Sequence, residues 1–322
     1  MLACDDPRVF LETLPGFLSS GVGSGSAGKE HSPFGRTLRE ALLGPGCEIW
    51  ADFSAPAAWR GDFWSSWYLA ADARGSQYDV LRKAIADNDG LDGHLVCLAL
   101  RGAGFHGQEN RNWAVREGNL HLSLGLECDF PAAETGVALT MLPAVAVTDV
   151  LAEWGVPAAG DGRRGIKWVN DILVAGAKLG GVLTAVRSQD GRLRTAVLGI
   201  GLNVLAIPEV PPTPFTPAVT CLADHLPRAD LSVAGVAAAV LRAVARRFEQ
   251  LETEGRGPLL EDYRRESLIL GRRVTVQAGG PEDSFSRSGR VLEIRPDLAL
   301  ELSDDPTPVT GGRLILEPDH LP

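Results

Sequence analysis

Apolar positions along this chain switch between a period of two and a helical period, and the switches define its elements. From Gly165 to Ala185, the apolar runs Ile172-Leu173-Val174 and Val182-Leu183 flank a tight link at Ala175-Gly176. Glycine takes positive φ without strain, so this stretch predicts a β-hairpin. Upstream, Ser76 is placed as an N-cap, with Leu81 and Ile85 at helical spacing behind it. His94 to Leu100 reads as a buried strand, and Leu120 to Leu124 alternates as a strand does. Gly136 to Trp154 carries Leu139, Leu142, Val145, Val147 and Leu151 on a mostly helical period and predicts a core helix. Thr195 to Val204 predicts a further strand, and Ile207 to Pro217 is a proline-rich loop. A helix is expected from about Ser232 to Glu252, with Val236, Val240, Leu241, Val244 and Phe248 on one face. After it come short runs at Arg273 to Val276, Ser288 to Ile294, Leu298 to Leu302 and Arg313 to Leu316. Short strands at such close spacing predict a small β-barrel.

Composition narrows the class. The chain has 322 residues, 45% of them hydrophobic and 22% charged, which suits one large folded unit and one or two small ones. A net charge of -10 argues against a general nucleic-acid-binding face. No apolar run is read as long enough to span a membrane, and MLACDDPRVF lacks the pattern of a secretory signal. Cys4, Cys47, Cys97, Cys128 and Cys221 are scattered without a C-x-x-C, so a reducing cytoplasm is expected. The histidines show no metal-ligand spacing, and no metal site is assigned.

Residues 1–71 read as an N-terminal extension of unassigned role. Gly23 to Lys29 has the G-x-x-x-x-G-K spacing of a phosphate loop, but Glu30 stands where such a loop needs Ser or Thr. Trp50, Trp59, Trp64, Trp67 and Tyr68 form an aromatic cluster, read as a packing face. Five basic and seven acidic residues up to Arg60 argue against a DNA-binding arm.

Two stretches carry candidate chemistry. The hairpin gathers Lys167, Asn170, Asp171 and Lys178 beside the bare backbone of Gly180-Gly181. Lysine offers a compact charge for phosphate or carboxylate, and paired glycines admit a ligand close to the main chain. The segment from Arg101 to Trp113 is glycine-rich, and such a loop supplies backbone N–H groups to phosphate.

The order K-W-x-N-D, K-L-x-G and then G-x-G-x-N at Gly199 to Asn203 resembles the biotin–protein ligase family, part of the biotin/lipoate ligase group. Proline usually stands there where this chain has Val169. The resemblance extends to Ser76, in place of the family's S-T-N triplet, with Gln77 and Tyr78 as departures. The family's G-R-G-R-x-G-R-x-W loop keeps Gly107, Arg111 and Trp113 here, with Phe105 and Asn110 at glycine positions and His106 and Gln108 at arginine positions. It implies an α+β fold: a mixed β-sheet flanked by helices over 72–262, and an SH3-like β-barrel over 263–322.

The resemblance also implies an activity. The expected reaction is ATP-dependent activation of biotin as its adenylate, with Mg2+, followed by transfer to a lysine of an acceptor carboxylase domain. Lys178 and Lys167 are the expected catalytic residues. Ser76, Gly107, Gln108, Arg111, Trp113, Gly180 and Gly181 are expected to bind substrate, and Asn170, Asp171 and Asn203 the nucleotide. His106 is expected to be only partly protonated near neutral pH. Neither DNA nor membrane is an expected partner, and a homodimer is allowed. The altered triplet and loop keep two alternatives open: lipoate or octanoate transfer on the same fold, and a ligase-like binding or regulatory protein with little turnover.

Overall fold

The computed structural model describes residues 63–317, except 89, 92, 159–162 and 279–284. The Gly23 to Lys29 motif, Trp50 and Trp59 lie outside the described residues. Strand β1 (Trp64–Ala73) leads through helix α1 (Gln77–Asp87) to β2 (His94–Gly102), and these two strands pair in parallel. Then follow β3 (Leu120–Pro131), α2 (Ala132–Thr135), α3 (Ala138–Glu153), β4 (Arg164–Lys167), β5 (Asp171–Val174), β6 (Ala177–Gln189) and β7 (Arg192–Leu202). Helices α4 (Val233–Glu254) and α5 (Gly257–Arg265) precede the closing strands β8 (Arg273–Ala278), β9 (Phe285–Ile294), β10 (Leu300–Leu302), β11 (Asp305–Val309) and β12 (Arg313–Leu316).

The first seven strands form one mixed sheet in the order β1-β2-β3-β7-β6-β5-β4. The last five form an antiparallel sheet, β11-β10-β9-β8-β12, consistent with an SH3-like unit. Strand β3 shows how the large sheet is built. Leu120, Leu122, Leu124 and Leu126 face one side and join the core made with α3 and α4. His121, Ser123 and Gly125 take the other side by the two-residue pleat. There α1 buries Tyr78, Leu81 and Ile85 against Leu95, Cys97 and Val197.

Three expectations need correction. Trp64 and Trp67 do pack into the core, but with Tyr68 they lie in β1, the edge strand beside β2, and not in an N-terminal extension. The boundaries expected at 71/72 and 262/263 fall inside β1 and inside α5, whose Tyr263 is fully buried. The helical stretch Ala132–Glu153 is long and apolar enough to cross a membrane by length and composition, against the expectation. It is apolar all round because α3 is packed on nearly every side by the sheet, α4 and α5.

The two sheets share one core, which runs on from the large sheet to Val274, Val276 and Leu314. Trp168, from the K-W-x-N-D motif, is the fastener. It is buried, and its Nε1 donates to the Leu298 carbonyl at 2.8 Å. Tyr263 Oη donates to the Val169 carbonyl at 2.8 Å from the other side. The Trp168–Val169 peptide is cis.

Candidate active site

A cavity of ≈ 260 Å³ opens on the α1 face of the large sheet. Its floor is made of two rows across three strands: His121, Gly201 and Gly181, then Ser123, Gly199 and Leu183. The glycines of β7 are required by what lies on them. A Cβ at Gly201 would stand 2.7 Å from the Trp113 ring, and one at Gly199 would stand 3.2 Å from Tyr78. The bare strand thus lets two aromatic rings lie close to the sheet. Trp113 Nε1 donates to His121 Nδ1 at 3.2 Å. Burial pushes the His121 imidazole down to about 4, so it stays neutral and can accept that bond. Burial likewise pushes the Tyr78 phenol up to about 12. With Phe105, this end of the cavity is aromatic and without net charge.

The loop from Arg101 to Trp113 folds back on itself. Trp113 N donates to the Phe105 carbonyl at 2.9 Å, and Gly107 N to the Arg111 carbonyl at 2.7 Å. Glu109 and Asn110 take positive φ of 55° and 54°. Asparagine is among the residues that tolerate this region, which accounts for Asn110 at a usual glycine position. Phe105 turns its ring onto Ala70, Ala73 and Ala99.

His106 differs from the expectation. Its Nε2 meets Asp79 Oδ2 at 2.6 Å and its Nδ1 meets the Gly107 carbonyl at 3.0 Å. Both partners accept, an arrangement that favours the protonated ring. The Gly107 carbonyl, then the Asp79 carboxylate, raise its pKa above the ordinary value. This charge ties the loop to α1 rather than standing free for a ligand.

The hairpin delivers the opposite, cationic end. Ala175 and Gly176 both have positive φ, 50° and 76°, the two-residue turn that matches strand twist. It brings Lys178 across from β5, where Lys178 Nζ meets Asp171 Oδ1 at 2.6 Å. The main chain of Lys178 is held on both sides, by the Ala218 carbonyl at 2.9 Å and by Thr220 N at 3.0 Å. Lys178, Asp171, Asn170 and Gly181 all line the cavity, as do Ser76, Gly107, Gln108, Arg111, Trp113 and Asn203. Ser76 also caps α1, accepting from Asp79 N at 3.4 Å. The Asn170 amide donates to the Val182 carbonyl and so pins the turn before β5 to β6.

Lys167 and Gly180 are not part of the lining. A Cβ at Gly180 would stand 2.4 Å from the Gly201 carbonyl oxygen, so this glycine allows β6 and β7 to pack, not a ligand to approach. Lys167 pairs with Asp171 across β4 and β5, is 5% exposed, and donates to the Phe215 carbonyl. Asn203, although at the cavity wall, is 1% exposed and has its side chain occupied. Its Nδ2 donates to the Thr220 carbonyl at 3.0 Å, and its Oδ1 accepts from Asn119 at 3.3 Å. It braces the segment that holds Lys178.

Burial pushes the Lys167 ammonium down to about 8 from 10.5, helped by the charges of Lys178, Arg313 and Arg111. Between those pH values the unfolded chain holds more protons than the folded one. Lys167 therefore makes stability rise with pH across that window. A bound polyanion reverses the shift, so binding of inorganic triphosphate at about pH 8.5 is expected to take up protons. Calorimetric titrations in buffers of different ionisation heat read this uptake, and Lys167→Met should remove most of it. Equal uptake in that variant would mean that the anion lies elsewhere.

Sequence reasoning used the G-x-G-x-N strand only to point to Asn203, and it passed over the His121 ring and Arg313 of β12; Arg313 carried no local signal.

Fold and site together define an α+β protein with an aromatic, cation-ended cleft on a mixed sheet. A sequence model of the biotin/lipoate A/B protein ligase family matches residues 83–203. The chain is 34% identical over 221 residues to the bifunctional ligase/repressor BirA of Bacillus subtilis (strain 168), covering 68% of this chain and 65% of that one. It thus spans about two-thirds of the length of that relative, 65%. With the biotin–[acetyl-CoA-carboxylase] ligase of Mycobacterium tuberculosis it shares 29% identity over 288 residues, 87% of this chain and 94% of that one. Among solved structures, the biotin protein ligase of Aquifex aeolicus in complex with biotin and ATP superposes with a TM-score of 0.57 at 16% identity, covering 78% and 98% of the two chains. The chain belongs to the biotin/lipoate A/B protein ligase family.

Proposed function

We propose that this chain is an ATP-dependent biotin–protein ligase. One observation carries the reading: a single cavity has an uncharged aromatic end at Tyr78, Phe105 and Trp113 and a cationic end at Lys178 and Arg111. The first suits the ring system of a carboxylic acid, and the second suits its carboxylate beside a nucleotide phosphate. The names of the relatives, biotin–[acetyl-CoA-carboxylase] ligase among them, favour biotin as the acid and a carboxylase domain as the acceptor.

In the first step a carboxylate oxygen of the acid attacks the α-phosphorus of ATP. The bond to the bridging oxygen breaks, pyrophosphate leaves, and the acyl-adenylate remains. Two anions must meet, so the chain's contribution is positioning and charge. Lys178, held in place by its ion pair with Asp171, is the cation that this reading sets against the α-phosphate. Arg111 and the backbone of the Gly107 loop hold the adenylate. In the second step a deprotonated acceptor lysine attacks the acyl carbon. AMP leaves with the electron pair, and the new amide nitrogen gives up a proton to solvent. Where Mg2+ accompanies the nucleotide, Asp171 is the cavity carboxylate that would hold it, and the ion would offset phosphate charge. Among the described residues no three His, Cys, Asp or Glu side chains gather into a metal site of their own.

The mass of a biotin-acceptor domain after incubation with the protein, Mg-ATP and one acid tests this reading. A gain of one biotinyl group is expected. A gain only with lipoate or octanoate would move the assignment to those acids, and no gain with any acid would favour a binding protein.

A further inference from the structure

The steps above use Gly107 and Arg111 of the loop but not the contact that carries the loop to its neighbour. His106 Nε2 meets Asp79 Oδ2 at 2.6 Å, and His106 Nδ1 meets the Gly107 carbonyl at 3.0 Å. Each side of this contact leads into the cavity wall. Gly107, Gln108 and Arg111 lie just after His106, and Ser76, Gln77 and Tyr78 lie just before Asp79. Ser76 Oγ accepts from Asp79 N, so the carboxylate is fixed at the start of α1 that presents those three residues. Contacts within the loop tip close on the tip itself: Gly107 N donates to the Arg111 carbonyl, and Arg111 Nε to the Gln108 carbonyl at 2.9 Å. Its flanks are anchored on the sheet, Phe105 against the alanines of β1 and β2 and Trp113 on His121. Between those anchors His106 bridges to α1.

Because both partners of His106 accept, the bridge has two states. The protonated ring donates to both oxygens. A neutral imidazole has one N–H, so one ring nitrogen then faces an oxygen with no proton between them. The charged groups facing the ring are Asp79 and Arg82 of α1, and Asp79 Oδ1 also meets Arg82 Nη1 at 3.6 Å. From the same helix Tyr78 stands edge-on at 6.3 Å, its phenol neutral. On the loop itself, Arg101 pairs with Asp72 and Arg111 with Glu109. The Gly107 carbonyl and Asp79 raise the His106 pKa above its ordinary value, against burial and Arg82. The bridge is therefore complete below that raised value and is lost as pH rises through it.

We propose that the His106–Asp79 pair is a proton-operated latch on the 101–113 loop: closed, it retains the acyl-adenylate, and when His106 loses its proton the loop lifts and the adenylate escapes. This rests on the ligase reading given above. His106 acts here as a positioning residue, through the loop. A latch made of the chain's own residues sets the closed population before any ligand arrives, so its opening is read as faster release.

Escape of preformed labelled biotinyl-adenylate, chased with excess unlabelled compound from about pH 5.5 to about pH 9, tests the latch. The proteins compared are wild type, His106→Gln, Asp79→Asn and His106→Arg. Wild-type release should quicken about tenfold as pH rises, the lower end for a charge-assisted bond because Asp79 is half exposed. His106→Gln and Asp79→Asn should lose that step and release fast at every pH. His106→Arg, charged throughout, should hold the adenylate at high pH as wild type does at low pH, which guards against a folding defect in the neutral variants. A wild-type profile without the step, or a step that any of the three variants keeps, overturns the latch. Wild type that does not bind biotinyl-adenylate at all would overturn the ligase reading with it, so the two failures are told apart.

Discussion

Replacing Lys178 with alanine is expected to slow adenylate formation by about a hundredfold or more, the usual effect of losing one preorganised charge donor. The side chain is placed for this. It is 24% exposed, it faces the cavity, and its backbone is bonded to both neighbours of Val219. Stability should fall less. The Lys178–Asp171 pair is partly buried, so stranding the carboxylate costs roughly 1–3 kcal/mol, between the values for exposed and buried pairs. The double variant Lys178→Ala/Asp171→Asn separates the two effects. Removing the stranded charge should restore most of the melting temperature and none of the rate. Pyrophosphate release and thermal melting read both. A rate near wild type in the single variant would remove Lys178 from the chemistry.

The second large effect is expected from Trp168→Ala, and it is on stability. Trp168 neighbours Lys167 in sequence but is turned away from the cavity. It is 7% exposed and joins the two sheets through its bond to the Leu298 carbonyl. Truncating a buried tryptophan costs about 3–5 kcal/mol in lost packing. The donor leaves with the ring, so the Leu298 carbonyl also loses its partner. Denaturant unfolding should show this loss, with the small sheet released first. Stability within about 1 kcal/mol of wild type would mean that the sheets are held by other contacts.

These two residues show what the chain's letters reveal and what they hide. Lys178 could be found because a two-residue turn fixes the register of a hairpin, and register fixes which side chains share a face. Trp168 and Lys178 belong to one run of motif letters, yet one fastens the fold and the other faces the cleft. Only the strand order β7-β6-β5-β4 separates those roles. Gly180 and Gly181 make the same point more sharply. Adjacent residues in a strand face opposite sides, so one packs on Gly201 and the other lines the cavity. The separate helices and strands were legible from periodicity, and the α+β class through the family resemblance that the motif order carries. Strand β1 was not, because its tryptophans hide the alternation expected of an edge strand. Helix α5 is short and β11 holds two prolines, and neither gives a clear period. Arg313 was beyond reach for another reason: it is brought to the cavity by the docking of one sheet on another, which no local pattern encodes. His106 looked like a weakened arginine in sequence. The Asp79 side chain one turn into α1 makes it a charged clasp instead.

The most direct test is a single-turnover experiment with α-phosphate-labelled ATP, purified protein and one acid at a time. With biotin, one labelled biotinyl-adenylate should appear per chain, remain bound through rapid filtration, and be discharged as AMP when an acceptor domain is added. Labelled adenylate that forms only with lipoate or octanoate, or with no acid at all, would contradict the assignment of this cleft to biotin activation.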